Sequence, residues 1–156
     1  MTEMKVAGVA LDTKTNMPII ILKDEKNERV LPIWVGLFEA QAILFGLEGI
    51  RLPRPFTHDL LKNVIENLGA KVAKIIINAL RDNTYFAQIN IVIDSTYVSI
   101  DSRPSDAIAL ALRTSSPIYV PEHVLNAATM PQQPIDEEEV ARFKEKLKHL
   151  KPEDLK

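Results

Sequence analysis

Cysteine is missing from all 156 residues. Disulfides, thiolate metal sites and cysteine nucleophiles are therefore excluded, which fits a reducing cytosol. No run approaches the roughly 20 apolar residues that span a bilayer, and MTEMKVAGVALD lacks the basic and long apolar regions of a secretory leader. The expectation is a cytoplasmic protein with no membrane association. A basic surplus is lacking too: the formal net charge is −2, whereas domains that grip phosphates usually carry excess lysine and arginine. Aromatic residues make up only 6%, which argues against base stacking along a single strand. No Gly-rich phosphate loop, HExxH or GxSxG motif occurs, and the three histidines are too scattered for a zinc site.

What is present suits one folded domain with a continuous core: 46% hydrophobic and 26% charged residues. Residues 4–12 and 17–24 are apolar and β-branched around a polar TKTN turn, and EKNE leads into a third strand over 29–35. From Gly36 the period changes. Leu37, Ala40, Ile43, Leu44 and Leu47 predict a helix ending near Gly49. Trp34, beside Val35 and Gly36, reads as core. After a proline-stiffened loop, Thr57 reads as an N-cap, with Asp59 in the first turn and Phe56 placed to staple onto Leu61. The face of Leu60, Leu61, Val64, Ile65 and Leu68 then runs to a stop at Gly69.

Strands follow over 72–80, 85–93 and 97–101, the last alternating as if half-buried, then a helix over 104–113 with Pro104 in its first turn. A short strand IYV and a short helix opening at Pro121 come next. A linker follows over 129–136. The last helix is capped by Asp136 and carries Val140, Phe143, Leu147 and Leu150 on one stripe, to pack on the domain or on a second copy. The two halves repeat three strands and a helix. A shift of 67 positions lays Ile33 on Ile100 and Glu39 on Asp106. The fold class is α+β, a single domain with a duplicated three-strand-plus-helix unit and additional helices, divided as residues 1–130 and a 131–156 linker and amphipathic helix.

Chemistry gathers at helix starts. In DSRPSDAIALALR, Asp101 or Ser102 and Asp106 read equally as caps. Capping does not explain Arg103, because a cation opposes the dipole at a helix N-terminus. Arg103 wants an anion, either a neighbouring carboxylate or an outside phosphate. His58 and Asp59 stand at a second start behind Arg54, and Glu39 at a third. Carboxylates at helix starts beside arginines are compatible with Mg²⁺ or Mn²⁺ bridging to phosphate oxygens, provided that the three starts converge.

The segments LPIWVGLFEAQAI, RPFTHDLL and DSRPSDAIALALR, in this order and spacing, resemble the bifunctional nuclease domain family, also catalogued as a domain of unknown function. The likeness covers roughly residues 4–125. It implies a nuclease acting on RNA and DNA, an α+β domain of repeated strand–helix units, and homo-oligomers, with dimers expected. The matching motif positions are Glu39, Arg54, Thr57, His58, Asp59, Asp101, Arg103, Ser105 and Asp106. In this reading Asp101 and Asp106 hold the metal, with Glu39 or Asp59 completing the set. His58 is a base or ligand, Arg54 and Arg103 bind phosphate, and Ser105 orients the site. The alternative is a non-catalytic interaction or regulatory domain, in which the same charges form an internal network and the surface binds a protein or a small anion.

Overall fold

The computed structural model describes residues 1–26, 28–128 and 137–151. Two antiparallel meanders carry the architecture: β1 (Thr2–Asp12), β2 (Met17–Asp24) and β3 (Val30–Trp34), then β4 (Lys71–Arg81), β5 (Thr84–Ile93) and β6 (Thr96–Ser102). A helix follows each, α1 (Leu37–Glu48) and α3 (Pro104–Thr114), and α2 (Thr57–Asn67) lies between the halves. The short β7 (Ile118–Val120) joins the meanders. It is antiparallel to β1 and parallel to β4, which gives one seven-stranded sheet of order β3-β2-β1-β7-β4-β5-β6. Two further helices, α4 (Glu122–Ala127) and α5 (Glu137–Lys148), complete the fold. Met17 and Thr84, like Leu37 and Pro104, stand 67 positions apart, so the repeat read from the sequence recurs in the order of elements.

The turns within the second meander need no glycine. Asp82 and Asn83 have φ of 49° and 62°, and Asp94 and Ser95 have φ of 47° and 66°. Asp and Asn tolerate this left-handed pair, the geometry that two-residue hairpin loops require. The core is built from the inward faces of the sheet and from α1 and α3, with Ile20, Leu22, Leu31, Ile43, Leu44, Ile75, Ile77, Ile108 and Leu110 fully buried. Each such side chain contributes about 1.5–3 kcal/mol through removal from water.

Three local expectations change. The N-cap of α2 is Phe56 rather than Thr57, and it is Asp59 that satisfies the first turn, accepting the Phe56 N–H at 3.0 Å. The Phe56 ring lies against Phe45 of α1, centroids 6.4 Å apart. Of the apolar face of α2 only Ile65 is buried, while Leu60, Leu61, Val64 and Leu68 stay exposed. β6 is not half-buried: as the last strand of the sheet it is exposed from Thr96 to Asp101. The opposite edge, β3, carries Pro32 and is mostly buried.

α5 closes its own domain by packing on α1 and β1. Leu147 and Leu150 are buried, and Gln41 of α1 donates to the Leu147 carbonyl at 2.6 Å. The expected linker over 129–136, with its Asp136 cap, and Asn27 of the EKNE turn lie outside the described residues. No described helix is long and apolar enough to cross a membrane.

Candidate active site at the helix starts

Asp106, in the first turn of α3, receives both of its charged neighbours through short hydrogen bonds. Arg103, the N-cap residue, turns back along the helix and donates Nε–H to Oδ2 at 2.9 Å and Nη2–H to Oδ1 at 3.1 Å. The cation that a helix start ordinarily disfavours is thus paired with the carboxylate three residues on. From α2, His58 brings Nε2 to 2.9 Å from Asp106 Oδ1. Burial pushes the Asp106 carboxyl up, but the bonds from Arg103 and His58 outweigh it and hold the group below the ordinary carboxylate range. An ionised carboxylate only accepts, so Nε2 carries the proton, and Nδ1 is left without a partner among the described residues.

The three groups differ in access. The His58 side chain is 12% exposed, Asp106 is intermediate, and Arg103 is 64% exposed. A guanidinium has five N–H donors, and Asp106 takes two of those on Arg103. Glu39, in the first turn of α1, lies 3.8 Å from Arg103 Nη1. Its carboxylate folds over Gly36, where any β-carbon would collide with it.

Asp101, Asp106, His58, Thr57, Ser102 and Arg103 line one cleft of about 620 Å³, together with Ile89, Ile91 and Ile100. Arg103 and Ser105 also line a second cleft of about 280 Å³, together with Glu39, Trp34 and Tyr85. Helix starts distant in sequence therefore meet at Arg103. Arg54 is exposed and lines neither cleft. Asp101 shares the larger cleft, but its side chain makes no ion pair or hydrogen bond with the described residues. Asp59 turns away to Arg113 Nε at 2.8 Å.

Arg113 is the residue that sequence reasoning passed over. Its side chain is 9% exposed and binds Asp59 of α2, the Ala42 carbonyl of α1 and the Ala109 carbonyl of α3. Seven residues after Asp106, it lies two helical turns along the same face; that spacing was the available signal. Asp106 and Arg113 dock the adjacent residues His58 and Asp59, so the arginine fixes the helix that presents the imidazole. Gly46 leaves space for it: a β-carbon there would lie 2.9 Å from Arg113 Nη1.

For Asp59, burial again raises the carboxyl, while the Phe56 N–H and then Arg113 lower it to a net value below 3.8. A depressed carboxylate contributes stability that is complete above its unfolded value and is lost as pH falls through the folded one. The melting-temperature gap between wild type and Asp59→Asn is therefore expected to be widest near neutrality and to close below pH 3.8. A gap that stays constant through the acid range would show the contact not to be ionic.

The donors do not fit a divalent ion as arranged. Among the described residues no group of three or more His, Asp or Glu side chains is placed to hold a metal. Both Asp106 oxygens are engaged, and Asp106 and Glu39 face a guanidinium whose charge opposes a second cation.

Comparison with known proteins bears on the same segments. The family model described as Bifunctional nuclease domain matches residues 20–133. An uncharacterized protein of Mycobacterium tuberculosis (strain CDC 1551 / Oshkosh) is 36% identical over 165 residues, covering 100% of this chain and 99% of the relative. Bifunctional nuclease 1 of Oryza sativa subsp. japonica is 29% identical over 112 residues, or 70% of this chain and 34% of that protein. Bifunctional nuclease 1 of Arabidopsis thaliana is 30% identical over 111 residues, or 69% of this chain and 34% of that protein. The chain thus aligns with about a third of the length of these plant relatives.

Proposed function

The chain belongs to the bifunctional nuclease domain family, and on that premise we propose that it hydrolyses phosphodiester bonds of RNA and DNA. One observation carries the reading: a histidine held by a carboxylate at 2.9 Å, beside a guanidinium with donors to spare, in the lining of a cleft. Nδ1 of His58 takes a proton from water as the water oxygen bonds to phosphorus. The P–O ester bond breaks, and solvent protonates the departing alkoxide. Water as nucleophile needs no 2′-hydroxyl, so both nucleic acids qualify. Asp106 fixes the tautomer and stabilises the imidazolium, and Arg103 binds the non-bridging oxygens as their charge grows. Asp59 and Arg113 hold α2 in place.

A bound Mg²⁺ or Mn²⁺ would activate water and neutralise charge. The donor arrangement argues against that route, and no step here passes through a metal.

The test is hydrolysis of a labelled single-stranded oligonucleotide in a chelating buffer by wild type and Asp106→Asn. Asparagine cannot stabilise the imidazolium, and a loss of at least roughly 10²-fold is expected, with the chelator leaving the wild-type rate intact. Equal rates in both preparations would assign the cleavage to a contaminant. They would favour a non-catalytic domain in which Arg103, Asp106 and His58 only tie α2 to α3.

A further inference from the structure

We propose that the cleft of about 280 Å³ on the far side of Arg103 is a nucleobase subsite, so that the substrate is single-stranded; this rests on the nuclease reading above. Trp34, which the sequence placed in the core, is 40% exposed and lines this cleft. It does not swing freely, because its indole N–H donates to Asp12 Oδ2 at 2.8 Å. A ring already held in one orientation stacks on a base without first losing rotamer freedom. Tyr85, at the start of β5, supplies a second aromatic wall, half-buried against the core.

Ser105 adds a polar group to the wall. It is 6% exposed, it lines the cleft, and its hydroxyl has no hydrogen-bond partner among the described residues. The hydroxyl still reaches solvent, so it can exchange water for a donor or acceptor on a bound molecule. The cleft is smaller than the roughly 300–1,000 Å³ pockets that take drug-sized molecules. Aromatic walls, the Ser105 hydroxyl and the Asn83 side of the β4–β5 turn suit one planar heterocycle with polar edges.

Arg103 joins this cleft to the larger one. A phosphate on the guanidinium places its flanking base against Trp34 and Tyr85, while His58 works on the other side. A base stacked and paired within a duplex cannot enter, so duplexes are excluded. The acidic net charge fits, since affinity then comes from stacking and one cationic contact, not from a basic surface.

Trp34 is the single tryptophan, so its fluorescence reports directly on the subsite. The His58→Gln protein, expected to turn over roughly 10²- to 10⁴-fold more slowly, is titrated with a thymidine tetranucleotide, its abasic counterpart and a blunt duplex. The tetranucleotide is expected to quench the emission and to bind roughly 5- to 150-fold more tightly than the abasic probe, the range that stacking on an aromatic ring supplies. Its affinity should fall with salt at a slope near about −0.7, one phosphate contact on a single strand. By anisotropy with a labelled probe, Trp34→Leu should lose that preference and Trp34→Phe regain it. Equal affinity for the abasic probe would remove the subsite while leaving hydrolysis by wild type untouched. Base-dependent binding by a wild type that hydrolyses nothing would keep the subsite and remove the chemistry. Binding of none of the three probes would overturn the subsite.

Discussion

Replacing His58 by glutamine is expected to slow hydrolysis roughly 10²- to 10⁴-fold at neutral pH, the usual contribution of a positioned general base. The substitution is chosen for shape. A glutamine amide can still donate to Asp106, so α2 stays docked on α3, but no group remains to accept the proton of water. Arg103 keeps its fork on Asp106, so the loss belongs in kcat with KM nearly unchanged. Because Asp106 acts largely through His58, the double variant with Asp106→Asn should be little slower than either single one. A His58→Gln protein as fast as wild type would take the imidazole out of the reaction.

Arg113→Met carries the largest expected effect on stability, about 2–3 kcal/mol. Breaking a buried ion pair by removing one partner typically costs about 3–5 kcal/mol. The lower figure applies here because the Asp59 side chain is 37% exposed and water recovers part of the loss. Methionine fills much of the stem but withdraws the extra side-chain donor from the Ala42 and Ala109 carbonyls. Lysine restores the charge without the planar fork and is expected to fall between the two. Urea unfolding should show a lower midpoint at constant m-value. A cycle with Asp59→Asn should give a coupling well above about 0.5 kcal/mol, the scatter of independent sites. Additive single effects would mean that Arg113 matters only for its packing.

The fold was legible where its causes are local. Residues 17–24 and 104–113 announced themselves because apolar alternation, a polar turn or a proline in a first turn acts within a few residues. Arg103 with Asp106 was legible for the same reason, since three positions along a helix face put the two side chains together. What stayed hidden depends on contacts across the chain. His58 meets Asp106 over 48 positions and Asp59 meets Arg113 over 54, and no local pattern says which of two adjacent residues goes to which partner. Asp101 and Asp106 are close in sequence, yet one sits on an edge strand and the other in a helical turn, so nearness did not make them partners in one cluster. Trp34 was misplaced because its exposure is set by where β3 ends, opposite the β4–β5 turn, which hydropathy around residue 34 cannot register. The uncovered leucines of α2 follow a regular helical period, and periodicity marks a face without saying what will cover it.

One side chain, Arg103, is wall to both clefts. Any occupant of one that draws the guanidinium off Asp106 must alter what the other will hold. Thermodynamic linkage makes that influence mutual and equal in size: the factor by which the first guest changes the hold on the second is the factor by which the second changes the hold on the first.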